Sequence, residues 1–259
     1  MSGQDVAGKG KILMVVGNTT VSPVTGWPVG FWWAELTHPY WEFTHRGYAV
    51  EIASPKGGAV QGDAYSDPED ASGYSADDFI SLGFKKSPRH AALLNKTKSL
   101  AEIQVQEYGA IFVIGGQSPP VTMIDDTALH QLFATFYEQG RIAAVICHGT
   151  CILLRTKLSN GQWLVDGKTW TGFANTEEQY AEQVTGRKIQ PFWIETEAKK
   201  LANTRFVAGP PFSSYAVADG NLVTGQQQHS GEEAARLVIQ ALERQADSRK
   251  VPSAATVVR

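Results

Sequence analysis

The chain has 259 residues, a length that suits one large α/β domain or two small ones. Hydrophobic residues make up 42% of it and charged residues 19%. This is enough apolar material for a core, and it excludes a chain that is intrinsically disordered over its whole length. The formal net charge of −3 argues against nonspecific binding to nucleic acid. No apolar run reaches the roughly 18 residues of a membrane-spanning helix. From the charge we expect no nucleic-acid partner, and from the absence of such a run we expect no membrane partner.

Two features of the sequence bear on the cellular compartment. The first residues are polar and glycine-rich, and they lack the apolar centre of a signal peptide. The chain has only two cysteines, Cys147 and Cys151, which is too few for a disulfide scaffold. A bridge between them within one helical turn would also strain the disulfide. These observations favour a reduced, cytoplasmic protein, with Cys151 as a small core residue.

The first part of the chain alternates between short apolar runs and a helical pattern. We predict strands over residues 11–17 and 49–53, with a helix over residues 30–47 between them. The order strand, helix, strand is typical of a parallel sheet. Residues 56–108 are less regular. We interpret them as an insertion or lid that contains a helix over residues 91–107.

The regular alternation then returns and continues almost to the end of the chain. Strands are predicted over residues 110–116, 142–146, 170–173, 215–218 and 221–225, helices over residues 125–140 and 232–244, and a loosely ordered tail over residues 245–259. The sequence shows no repeat and no linker. It therefore predicts a single doubly wound α/β domain over residues 1–259, with a mostly parallel sheet, helices on both faces and ligands at the carboxyl ends of the strands.

The strongest candidate for chemistry is Cys147, within Val145-Ile146-Cys147-His148-Gly149. An apolar strand ends at this cysteine and a helix is expected to start near Thr150, which is the layout of a nucleophile elbow. The partial positive charge of a helix N-terminus would stabilise a thiolate and lower its pKa. A buried structural cysteine is the alternative. The adjacent His148 favours a function, and Gly149 would allow close approach to the turn.

A second candidate is Glu35, which lies among Trp32, Trp33 and Leu36 in the predicted helix. If this carboxyl is buried among these apolar side chains, its pKa is raised and it stays protonated. The alternative is an exposed helical glutamate, and the spacing alone favours that alternative.

A third candidate is the turn Gly115-Gly116-Gln117 after the third predicted strand. Its backbone N–H groups could face an oxyanion, although such glycines also mark any tight turn. A metal site is not expected, because the histidines form no pair with the spacing of metal ligands. His38 and His45 would share one helix face, for which a solvated or capping role is the simpler interpretation.

These residues together resemble the ThiJ/PfpI superfamily, which is class I glutamine-amidotransferase-like, and within it the chaperone/glyoxalase III branch. The resemblance rests on the cysteine elbow and on four further segments, in order and spacing, from about residue 11 to residue 243. These segments are residues 30–39, residues 167–173, Glu177-Glu178 and residues 219–225. The resemblance implies a flavodoxin-like fold, a homodimer, no cofactor, and conversion of methylglyoxal to lactate without glutathione, with holdase chaperone activity described for some members.

The resemblance also implies a role for each site residue. Cys147 would be the nucleophile and His148 the base. Glu178 would orient His148, and Glu35 would hydrogen-bond the thiol. Backbone N–H groups of Gly116 and of the Gly149 side of the elbow would bind an oxyanion.

The sequence departs from the pattern of this branch after the third strand. The branch commonly carries Gly-Gly-His-Gly, whereas this chain has Gly115-Gly116-Gln117 followed by Ser118 and two prolines. Gln117 cannot act as an acid or a base, and Trp32 and Trp33 make the pocket rich in tryptophan. The small-molecule carbonyl substrate could therefore be bulkier or more apolar than methylglyoxal. A cysteine-dependent amidase, an isocyanide hydratase, and a non-enzymatic holdase or redox sensor are the alternative functions.

Overall fold

The computed structural model describes residues 8–250, the last two of them as helix backbone only. Its strands are β1 (Lys11–Val15), β2 (Thr20–Val21), β3 (Pro28–Val29), β4 (Ala49–Ser54), β5 (Lys56–Gly58), β6 (Thr97–Ser99), β7 (Ala110–Val113), β8 (Ile142–Ile146), β9 (Thr169–Trp170), β10 (Arg205–Phe206), β11 (Ala216–Asp219) and β12 (Leu222–Gly225).

The α-helices are α1 (Trp33–His45), α2 (Phe79–Lys86), α3 (Pro88–Asn95), α4 (Pro119–Thr122), α5 (Thr127–Glu138), α6 (Asn175–Thr185), α7 (Ile194–Ala198) and α8 (Gly231–Lys250). Short 3₁₀ helices span Ala64–Ser66, Leu100–Glu102, Val105–Glu107, Cys147–Leu154 and Gln228–Ser230. No helix in residues 8–250 is long and apolar enough to span a membrane.

The centre of the molecule is one sheet with the strand order β11-β12-β8-β7-β1-β4-β6-β5. Neighbouring strands from β12 to β6 run parallel, and only the outer strands β11 and β5 pair antiparallel. Helices α1 and α8 pack against each other, and α8 contacts β8 and β12. Helix α5 contacts β7 and β8. The fold is therefore the predicted doubly wound α/β arrangement, with helices on both faces of a mostly parallel sheet.

The central strands are apolar because both of their faces are covered. Every residue of β7, β8 and β12 is buried, and so are all but the first residue of β1. A parallel sheet covered on two sides requires continuous runs of apolar side chains, and this explains why these strands were predictable. Their carboxyl ends are neighbours at one edge of the sheet. Residues that follow β7 and β8 are thereby brought together.

Three predicted elements differ from the structure. The strand predicted over residues 170–173 is confined to its first residue, since β9 spans Thr169–Trp170. The helix predicted over residues 91–107 is wrong, since α3 ends at Asn95 and β6 begins at Thr97. Thr97 and its neighbours pair with β4 and β5, so strand pairing overrides the local helical pattern. Helix α8 continues through Lys250, so residues 245–250 are helical rather than a loose tail. Residues 251–259 of the predicted tail lie outside the described part of the chain.

Candidate active site

Cys147 stands at the junction between β8 and the 3₁₀ helix Cys147–Leu154. Its φ angle of 55° places a non-glycine residue in the left-handed region, a strained backbone of the kind found at nucleophile elbows. The helix starts at Cys147 itself, earlier than the predicted Thr150. Gly149 allows this turn to pack closely, because a Cβ there would lie 3.0 Å from the carbonyl oxygen of Ile114.

His148 connects the cysteine to an acidic side chain. Its Nδ1 lies 3.5 Å from Sγ of Cys147, and its Nε2 lies 2.9 Å from Oε1 of Glu178. Both Glu178 and His148 are buried, and the ring of Phe173 stacks on the imidazole with 4.1 Å between centroids. A carboxylate on Nε2 holds the proton at that nitrogen, so Nδ1 presents its lone pair to the thiol. His148 is thus oriented as a base toward Cys147.

Glu35 is completely buried in the first turn of α1, so the structure rules out the exposed alternative. Neither of its carboxyl oxygens has a hydrogen-bond partner of normal geometry among residues 8–250. The pKa of Glu35 is raised to about 8, mainly by burial and to a smaller extent by the neighbouring Asp63. The Cys147 thiol and the Gly115 N–H, the polar groups facing it, act in the opposite direction. Glu35 therefore carries a proton at neutral pH.

The N–H groups at the helix start do lower the pKa of Cys147, but the expected net lowering is wrong. Burial raises the pKa of this thiol well above its ordinary value, and the neighbouring Glu35 raises it further. Backbone N–H groups of His148 and Gly116 lower it, but desolvation is the larger effect. The resting site consequently holds a thiol rather than a thiolate, and it needs a base to produce the nucleophile.

The Gly115–Gly116 turn fits tightly against this site. A Cβ on Gly115 would lie 2.5 Å from Oε2 of Glu35 and 2.7 Å from Cβ of Cys147, so only glycine fits. Gly116 has a φ of 106°, which also requires glycine. The backbone N–H groups that face the sulfur belong to Gly116 and His148. The predicted oxyanion donors, Gly116 and the Gly149 side of the elbow, stay a prediction; the structure places the N–H groups of Gly116 and His148 against the sulfur and packs Gly149 closely against Ile114.

Asp63 is a residue of this site that the sequence analysis did not identify. Its buried carboxyl accepts one hydrogen bond from the N–H of Gly30 and another from the N–H of Gln117, each 2.7 Å long. It thereby ties the segment before α1, which carries Glu35, to the turn that carries Gly116. Burial raises the pKa of Asp63 to about 8, against the opposing effect of the two N–H groups.

A cavity of about 930 Å³ opens above Cys147. Trp32, Trp33 and Gln117 all contribute to its lining, as predicted candidates for substrate contact. Trp33 is nearly buried and packs edge-on against Phe31, whereas Trp32 is partly exposed and faces Tyr74. The side chain of Gln117 accepts a hydrogen bond from Gln190, a second residue that the sequence analysis did not identify.

Two other residues considered in the sequence analysis, Cys151 and His38, lie outside this site. Cys151 is fully buried in the core, and both cysteines are free thiols. His38, on α1, pairs with Asp78 at 2.9 Å. Within residues 8–250, no cluster of three or more histidine, cysteine, aspartate or glutamate side chains is arranged to hold a metal ion.

A comparison with protein families places this geometry in context. The model of the DJ-1/PfpI family matches residues 30–241, which include Glu35, Cys147, His148 and Glu178. The chain belongs to the DJ-1/PfpI family. The resemblance to the ThiJ/PfpI superfamily is thereby confirmed.

Relatives within the DJ-1/PfpI family have names that describe an activity. The chain is 25% identical over 236 residues to the probable glutathione-independent glyoxalase hsp3103 of Schizosaccharomyces pombe, covering 82% of this chain and 90% of that one. It is 27% identical over 221 residues to glyoxalase 3 of Candida albicans, covering 84% and 92%.

Solved structures confirm the fold of this DJ-1/PfpI chain. The 24 kDa Rapid Encystment Protein of Francisella tularensis superposes with a TM-score of 0.80 at 25% identity, covering 90% of this chain and 99% of that one. Glyoxalase III from Candida albicans superposes with a TM-score of 0.73 at 24% identity, covering 90% and 97%.

Proposed function

We propose that the protein is a cofactor-independent cysteine enzyme that converts 2-oxoaldehydes, such as methylglyoxal, into 2-hydroxy acids without glutathione. The observation that carries this proposal is the position of His148 between the Cys147 thiol and Glu178. The relatives named glutathione-independent glyoxalases support it. The free cysteines suit a reducing compartment, and we propose a cytoplasmic location on that ground.

The first step forms a carbon–sulfur bond. Nδ1 of His148 accepts the thiol proton while Sγ of Cys147 adds to the aldehyde carbon, giving a hemithioacetal. The backbone N–H groups of Gly116 and His148 face the sulfur and stand close to the oxygen that gains negative charge. Glu35 is protonated, so its carboxyl donates toward the reacting centre. It therefore places no second negative charge beside the oxygen on which negative charge develops.

The next steps move a proton and release the product. A base removes the proton from the former aldehyde carbon, and the resulting enediol is reprotonated on the former ketone carbon. This isomerisation leaves a thioester of the 2-hydroxy acid on Cys147. Water hydrolyses the thioester and restores the thiol. The sum is one 2-oxoaldehyde and one water giving one 2-hydroxy acid, so no oxidant or reductant is needed. An enzyme that catalyses this reaction is a lyase of the D-lactate dehydratase type.

The test is to incubate the purified protein with methylglyoxal in the absence of glutathione and to quantify lactate. We expect lactate from the unaltered protein and a loss of at least about 10³-fold in Cys147→Ala, because the nucleophile is absent. Cys151→Ala is the matched control, since it removes a thiol one turn away that does not face the cavity.

Two results would contradict this function. One is equal lactate formation by the Cys147→Ala protein. The other is no lactate from a protein that circular dichroism shows to be folded, with Cys147 still reactive to a thiol reagent. In the second case, amide and isocyanide substrates and an assay of aggregation suppression would be the next experiments.

A further inference from the structure

The cavity above Cys147 is far larger than methylglyoxal requires. Its volume of about 930 Å³ is near the upper end of the roughly 300–1,000 Å³ that pockets for drug-sized ligands occupy. Of the reacting groups, Cys147 and His148 line the cavity, together with Asp63. We call these three residues, with Glu35 and the Gly115–Gly116 turn that pack against Cys147, the floor. A molecule with only a methyl group beside its two carbonyls would leave most of the space above this floor to water.

Five side chains around this space, which we call the aromatic wall, are Trp32, Tyr65, Tyr74, Tyr180 and Phe212. Tyr74 lies edge-on to Trp32 at 6.2 Å and beside Tyr65 at 5.8 Å, and Tyr180 lies edge-on to Phe212 at 5.2 Å.

The tyrosines of the aromatic wall are poorly covered by the protein itself. Tyr65, Tyr74 and Tyr180 remain 45%, 50% and 52% exposed. Large apolar side chains exposed together around one cavity mark a binding surface. Aromatic rings also stack or meet edge-on with a further aromatic ring. The wall therefore suits a flat, unsaturated body attached to the reacting carbonyls.

The charged groups around the cavity already have partners. Lys85 binds Asp67 at 2.5 Å and Glu69 at 3.1 Å, and Asp70 accepts from the N–H of Ser72 at 2.9 Å. Asp63 is occupied by two backbone N–H groups. Among the described residues that line the cavity, no cation is left without an anionic partner to pair with a carboxylate. The polar groups beside Gly116 are the neutral amides of Gln117 and Gln190. An uncharged ligand fits this lining better than an anionic one.

We propose that the preferred substrates are uncharged 2-oxoaldehydes that carry an aromatic ring, the arylglyoxals. This inference rests on the proposed function. The dicarbonyl reacts on the floor, and the ring lies against the aromatic wall. The bonds made and broken are those of the methylglyoxal reaction. Phenylglyoxal and one water therefore give mandelate, with no further reactant.

The experiment compares kcat/KM for phenylglyoxal, methylglyoxal and 4-carboxyphenylglyoxal, following mandelate, lactate and carboxymandelate by chromatography. We expect phenylglyoxal to exceed methylglyoxal by at least about tenfold, mainly through a lower KM. The carboxylated compound should fall below phenylglyoxal, since its charge finds no partner. Dividing each value by the rate of the uncatalysed reaction removes differences in intrinsic reactivity.

Variants of the wall separate the ring contact from general effects. Tyr74→Ala and Tyr180→Ala should each lower the ratio of phenylglyoxal to methylglyoxal by about three- to tenfold. Tyr74→Phe keeps the ring and should keep the ratio. Trp41→Ala removes an exposed aromatic side chain of α1 that does not line the cavity, and it should change neither value.

The outcomes distinguish the two proposals. Turnover of methylglyoxal with an equal or lower value for phenylglyoxal would overturn the aromatic preference and leave the proposed function intact. A preference that persists unchanged in both tyrosine-to-alanine variants would also overturn it. No turnover of any of the three compounds by the folded protein would overturn both.

Discussion

The cavity floor and the aromatic wall are built in different ways. The floor consists of buried groups, of which Asp63 and His148 are held by hydrogen bonds to distant segments, and Gly115 has no room for even one added carbon. The wall consists of partly exposed rings that contact one another in two groups, and its three tyrosines are about half exposed. We therefore expect the two regions to control different kinetic quantities. Changes on the floor should lower kcat, whereas changes in the wall should act on KM and on substrate preference.

Among the variants that test this difference, Glu178→Gln is expected to cause the largest loss of kcat. An amide can turn its NH₂ toward Nε2 of His148, which favours the tautomer with the proton on Nδ1 and removes the lone pair facing Cys147. We expect kcat to fall by about 10³-fold with KM little changed. Steady-state kinetics with methylglyoxal measure both values. A rise in KM at constant kcat would place Glu178 among binding residues instead.

Glu35→Gln tests whether the Glu35 carboxyl of the floor is protonated in the folded protein, through the pH dependence of stability. Glu35 keeps its proton in the folded protein up to a pKa of about 8 but releases it near 4.5 when unfolded. The contribution of Glu35 to the free energy of unfolding is therefore complete below its pKa in the unfolded chain. It is lost as the pH rises through its pKa in the folded protein. The free energy of unfolding of the unaltered protein should fall, relative to Glu35→Gln, by on the order of 3 kcal/mol between pH 5 and pH 8.

Urea denaturation of both proteins at pH 5, 6.5 and 8 measures this difference. Asp63 and Cys147 face Glu35 and titrate in both proteins, so subtraction removes most of their contribution. A difference that stays constant over this range would show that Glu35 is ionised in the folded state.

A smaller effect is expected from Asp63→Asn. Asparagine offers one carbonyl oxygen where Asp63 offers two, so the N–H of Gly30 or of Gln117 loses its acceptor. The Gly116 turn should shift, and we expect kcat to fall by about tenfold. Asp78→Asn is the matched control, because Asp78 belongs to the same part of the chain but caps α2. Equal kcat values for both variants would exclude a positioning role for Asp63.

The smallest effect is expected from Cys151→Ala. This thiol is as buried as Cys147 but packs in the core, where burial also raises its pKa. Activity should change less than about twofold, while the free energy of unfolding falls by about 1 kcal/mol through the small void created. Kinetics and urea denaturation of one preparation measure both. A large loss of activity at unchanged stability would assign Cys151 a part in the chemistry.

The floor was predictable from sequence where it depends on local pattern. An apolar strand followed by Cys147-His148-Gly149 indicates an elbow, and Gly115-Gly116 indicates a turn. Asp63 was not predictable, because its partners are backbone N–H groups 33 and 54 residues away and leave no mark on the sequence. The protonated state of Cys147 was missed for a similar reason, since desolvation by the whole fold exceeds the local effect of a helix start. Tyr65 and Tyr74 lie in the irregular part of the chain, where neither spacing nor periodicity indicates which side chains face a cavity.

The buried, protonated thiol has a consequence for survival of the enzyme under oxidative stress. Peroxides attack thiolates and react slowly with thiols, so we expect a nucleophile that stays protonated until His148 takes its proton to resist conversion to sulfenic and sulfinic acids. We expect a catalyst whose sulfur stays protonated until the reaction begins to keep working in the presence of peroxide, when a cysteine exposed as thiolate would already be oxidised.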